Sequence, residues 1–119
     1  VNPKESVYES LTIACLHAVR RAVANRWPER PVDDGDEAAL HRVAPLTHEI
    51  SNVHGTSSAK VRKHLRQLQA EGCVICSSHP GWTSRWWPTG FADALAASRV
   101  TEGAQVFYEM PAIVGKEAA

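Results

Sequence analysis

Three cysteines (Cys15, Cys73 and Cys76) are too few, and odd in number, for a disulfide framework. Reduced thiols are the expected state. No stretch is apolar over the roughly 18 residues that a membrane span needs, so no membrane partner is expected. The opening Val1-Asn2-Pro3-Lys4-Glu5 lacks the basic-then-apolar order of a secretory leader, which makes a cytoplasmic location the expectation. Net charge is also missing. Thirteen basic side chains face 13 acidic ones, so the chain as a whole offers no electrostatic case for nucleic acid. There is no P-loop, no nucleotide-binding glycine fingerprint and no nucleophile elbow, so neither catalysis nor a cofactor is expected. The acidic residues at 33–37 lack EF-hand spacing and read as a solvated loop.

What remains is an ordinary globular composition, 44% hydrophobic and 22% charged over 119 residues, the size of one domain with a helical extension. The charge is unevenly spread. Residues 47–90 carry five basic side chains (Lys60, Arg62, Lys63, Arg66, Arg85) against two acidic ones (Glu49, Glu71), a local balance of +3. The first 46 residues hold six basic and seven acidic, with five acids packed into positions 29–37. The positive segment is where a partner of opposite charge is to be sought.

Periodicity supplies the elements. Residues 5–26 read as a long helix with Ser6 as N-cap and Pro28 as its stop. Val7, Leu11, Cys15, Ala18 and Ala22 form one stripe, and Ile13, Val19 and Val23 widen it enough to suggest burial on more than one side. Residues 28–36 form a loop and 37–43 a short helical turn. Thr47 then caps a short helix bearing Leu46, Ile50 and Val53, which ends at Gly55. Thr56, Ser57 and Ser58 offer the next N-cap, and a helix over 58–71 follows with Val61, Leu65 and Leu68 as its core stripe. Stepping 100° per residue puts Ala59, Lys60, Lys63, Arg66 and Gln67 on the opposite side, flanked by Arg62. After Gly72, the β-rich runs 73–77 and 84–87 enclose a Pro-Gly turn and read as a hairpin. Alternation sends Trp86 and Trp87 to opposite faces, one onto the helices and one more exposed. Thr89 caps a helix through Phe91 and Leu95 toward Ser98. Residues 105–109 read as an edge strand or a docked segment, and 115–119 as a frayed end.

Short helix, glycine turn, basic amphipathic helix, hairpin, helix: this order resembles the winged helix-turn-helix domains of bacterial regulators such as the MarR-like and ArsR-like families. The words that carry the resemblance are Leu46-Thr47-His48-Glu49-Ile50-Ser51, Ser57 through Leu68, Glu71-Gly72-Cys73-Val74 and Trp86-Trp87-Pro88-Thr89-Gly90. Pro88 departs from the usual Leu. The resemblance covers about 45 residues and implies an α+β, mostly α fold with a long N-terminal helix and a two-stranded wing. The expected division is an N-terminal helix and acidic loop (1–45), the core (46–98) and a C-terminal extension (99–119).

A helix that enters a major groove must present donors on the face opposite its core. That face offers Lys60, Lys63, Arg66 and Gln67, with Arg62 beside them. Ser57 and Ser58 at the helix start can meet phosphate, and His79, Trp82 and Arg85 belong to the wing. These ten residues are the expected DNA contacts. The expected function is therefore double-stranded DNA binding in transcriptional regulation, by a homodimer that the long helix forms with the C-terminal segment; the stripe of Val7, Leu11, Cys15 and Ala18 is expected at that subunit interface or under the winged core. The alternative is a docking module whose basic face meets an acidic protein. Cys73-x-x-Cys76 lacks the second ligand pair that zinc requires. His79 and His64 are the candidate additions, and positions three apart on a strand point to opposite faces, so no metal site is expected.

Overall fold

The computed structural model describes residues 2–28, 30, 32–77, 84–102 and 105–108, the side chains of 100–108 excepted. The first helix, α1 (Pro3–Ala24), begins earlier than Ser6 would set it. Asn2 accepts the Lys4 N–H through Oδ1 at 2.9 Å, and Pro3 sits at the first helical position, where a missing N–H costs nothing. At the other end the Asn25 side chain donates to the Arg21 carbonyl at 2.9 Å and Arg26 takes a left-handed φ of 66°. The helix thus stops before Pro28 can break it.

After a 3-10 turn (Glu37–Arg42) come α2 (Thr47–His54) and α3 (Ser58–Ala70). Leu46, and not Thr47, occupies the N-cap position of α2. Its backbone N–H donates to the Glu49 carboxylate at 2.9 Å, which frees the Thr47 hydroxyl for the interior. The turn into α3 needs Gly55, whose φ of 86° is left-handed, and the Ser51 hydroxyl closes it by donating to the Thr56 carbonyl. Ser57 caps α3, accepting the Lys60 N–H at 3.4 Å.

The strands β1 (Val74–Ser77) and β2 (Arg85–Pro88) pair antiparallel, with Ile75 opposite Trp87 and Cys76 opposite Trp86. The chain just before α2 extends this pairing. Leu46 bridges to Arg85, and the Trp86 N–H donates to the Pro45 carbonyl at 3.1 Å. The helix α4 (Phe91–Ala97) is led by Gly90 at a left-handed φ of 86°. Thr89 does not cap it, since its hydroxyl donates back to the Gly72 carbonyl at 2.7 Å. A second antiparallel pair, β3 (Arg99–Glu102) with β4 (Gln105–Tyr108), follows. The expected strand at 105–109 is therefore present as β4, with a partner in β3 that the periodicity did not suggest.

The result is a small α+β domain, mostly helical, with two-stranded antiparallel sheets. Its core has two parts, divided by β1 and β2. On one side Trp86 packs with Val7, Leu11, Ala14, Ile50, Val61, Leu65, Leu68 and Val74. On the other Trp87 packs with Cys15, Val19, Val32, Leu40, Phe91 and Leu95 among others. Both indoles are buried, at 0% and 1% exposure, so the expectation that one would be more exposed is wrong. Val32, Leu40 and Ala44, from the stretch that composition marks as a loop and a turn, cover the second face.

The stripe on α1 is spent within the chain, against α2, α3 and β2. Ile13 and Val53, both expected on apolar faces, are instead 36% and 40% exposed. Among the described residues no helix is long and apolar enough to cross a membrane.

Candidate nucleic-acid interface

The α3 helix holds its place through Val61, Leu65 and Leu68, all buried against the Trp86 side of the core. That anchoring fixes which face remains outside. Ala59, Lys60, Arg62, Lys63, Arg66 and Gln67 are all exposed, as the 100° wheel requires. The helix phase read from three leucine and valine positions is thus the phase observed.

Electrostatics separates these cations. The two acids of the 47–90 segment are engaged elsewhere. Glu71 pairs with Lys4 at 2.5 Å, and Glu49 pairs with Arg21 at 3.4 Å, both partners lying on α1. Lys60, Arg62 and Lys63 have no ion-pair partner among the described residues. Three cations within four positions, exposed and unneutralised, form a positive ridge around the first turns of α3. The positive end of the helix dipole lies at the same place, with the Ser57 cap and half-buried Ser58.

The other expected contacts are disposed differently. Gln67 accepts from His64 Nδ1 at 3.2 Å. Arg66, though exposed, is engaged within the chain. Its guanidinium lies over the Trp86 ring, 5.2 Å from the centroid, and Nη1 donates to Gln69 Oε1 at 3.1 Å. Arg85 is half-buried and turned inward, with Nη1 donating to the Ala44 carbonyl at 2.7 Å. His79 and Trp82 lie outside the described residues.

On the opposite side of the hairpin, His41 hydrogen-bonds the Ser77 hydroxyl through Nδ1 and meets the Trp87 ring edge-on, 5.4 Å between centroids. This pair sits against the core and faces away from α3. Sequence reasoning did not single out His41, and no motif flags it. Trp87 Nε1 has no hydrogen-bond partner among the described residues.

Cys15, Cys73 and Cys76 form no disulfide. Burial pushes the Cys15 thiol far above its ordinary pKa, which makes it inert. Cys73 and Cys76 are half-buried and both pack against the Trp86 side. Among the described residues no group of three or more His, Cys, Asp or Glu is placed to hold a metal ion.

Compared with protein-family models, with curated proteins and with solved structures, the chain matches none.

Proposed function

We propose that the chain is a winged helix-turn-helix protein that binds double-stranded DNA, with α3 as the helix that enters the major groove, and that it serves in transcriptional regulation. The observation that carries this is the ridge of Lys60 and Lys63 with Arg62 flanking them, exposed and without an ion-pair partner among the described residues, on a helix whose core stripe is fully buried. The two acids of the 47–90 segment pair with Lys4 and Arg21 on α1, away from these cations. A polyanion supplies the missing counter-charge. The order of elements supports the same reading: a short helix, a glycine turn closed by Ser51, a capped second helix and a hairpin joined to residues 45 and 46. Lys60, Arg62 and Lys63 would meet phosphates and base edges, and Ser57 and Ser58 the backbone at the helix start.

Titration of a labelled random duplex at two salt concentrations tests the proposal. Binding should weaken steeply with salt, with a log–log slope of roughly −0.9 for each phosphate neutralised. A chain that binds no duplex even at low salt is not a DNA-binding protein. Capture of an acidic protein by the same ridge would then assign it to docking.

A further inference from the structure

Resting on the reading of α3 as the DNA-contacting helix, we propose that Arg66 is a positioning residue of the interface: it clamps α3 to β2 through Trp86, and leaves contact with DNA to Lys60, Arg62 and Lys63. By sequence Arg66 shares the outer face of α3 with Lys63, one turn away. Its guanidinium nevertheless lies 5.2 Å from the Trp86 ring centroid. The same group donates to Gln69, one turn further on, at 3.1 Å. A planar fork satisfies both partners at once, whereas an ammonium is a point charge suited to one.

Trp86 is itself held from two other directions. Its indole N–H donates to Thr47 at the start of α2, 2.9 Å away, and its backbone N–H donates to Pro45 at 3.1 Å. One buried ring therefore joins the start of α2, the strand β2 and, through Arg66, the outer face of α3. The pose of α3 against the hairpin decides where the ridge points. A clamp that raises the fraction of molecules in the binding pose raises affinity by that fraction, with no contact of its own.

The test combines salt-dependent duplex binding with tryptophan emission, for the parent chain and for Arg66→Ala, Arg66→Met and Arg66→Lys. Arg66 is exposed, so these variants are expected to fold. Ala and Met should weaken duplex binding about two- to five-fold, the scale of an exposed cation–π contact, with the salt slope unchanged. Lys keeps the charge over the ring and should recover part of the loss. Emission should change in Arg66→Ala, and that change should disappear when Trp86→Phe is the background. A slope smaller in magnitude by about 0.9 would make Arg66 a phosphate contact and overturn the proposal. Unchanged emission would overturn it too. If the parent chain binds no duplex, the function proposed for α3 fails and the positioning role fails with it. The emission comparison would then still report whether Arg66 sits on Trp86, which keeps the two failures distinct.

Discussion

The indole of Trp86 and the hydroxyl of Thr47, 39 positions apart, share a hydrogen bond of 2.9 Å inside the protein. Trp86 is fully buried and Thr47 is 4% exposed, so neither group can turn to water for a substitute. Thr47→Val keeps the shape and removes the acceptor. It should destabilise the fold by about 1–3 kcal/mol, the cost of stranding a buried donor. Denaturant unfolding of the two proteins measures it, and an unchanged midpoint would show the bond to be of no consequence.

Leu11 lies at 0% exposure within the Trp86 side of the core. Leu11→Ala should cost about 2–5 kcal/mol through lost transfer energy and the cavity left behind. Because the chain's own elements cover this residue, the loss should be the same at every protein concentration. Melting that shifts with concentration would instead mark the α1 stripe as a contact between subunits, one of the two places expected for it from sequence.

Lys60→Ala and Lys63→Ala test the ridge directly. Each should reduce the salt slope of duplex binding by about 0.9 if it contacts phosphate, or cost about 1–3 kcal/mol at particular sequences if it reaches a base edge. Neither should alter thermal stability, since both side chains are exposed and have no ion-pair partner among the described residues.

Burial raises the Cys15 thiol above its ordinary value of 9.0. The folded chain then keeps a proton that the unfolded chain releases. The stabilisation from this group is full below pH 9.0 and is lost as the pH climbs beyond it. Cys15→Ala should therefore flatten part of the fall in stability between pH 8 and 10, read by denaturant titration. A thiol reagent on the native chain should modify the half-buried Cys73 and Cys76 and reach Cys15 only on unfolding.

Gly55 has a left-handed φ of 86° and nothing within 4 Å of where a Cβ would stand. Gly55→Ala should then cost about 1 kcal/mol from the backbone alone, with no clash to relieve. A loss several times larger would point to a rearranged turn between α2 and α3.

Much of this was readable from the sequence because the strongest signals are local. Val61, Leu65 and Leu68 set the phase of α3, and Gly55 with Ser57 sets the turn before it; each needs only its neighbours. The misreadings came from contacts across long separations. Thr47 looks like an N-cap until Trp86 takes its hydroxyl, and Thr89 looks like one until Gly72 does. One of Trp86 and Trp87 reads as more exposed because the cover of Trp87, Val32 and Leu40, is hidden in an acidic, proline-containing stretch. Local pattern also leaves out the partners of Arg66 and Arg85, a ring and a carbonyl 20 and 41 positions away. Charge patterning alone has no means of anticipating either.

Trp86 and Trp87 are neighbours on a four-residue strand, yet each is the largest fully buried side chain of a different half of the core. The strand is a party wall with a beam seated in either room. The two halves meet at adjacent residues of β2, Trp86 and Trp87, and of α1, Ala14 and Cys15. Paired substitutions placed one in each half should therefore fail to add, even where the side chains never meet. The helix α1 contributes side chains to both halves, Val7, Leu11 and Ala14 to one and Cys15 and Val19 to the other. It should come apart in one step or not at all.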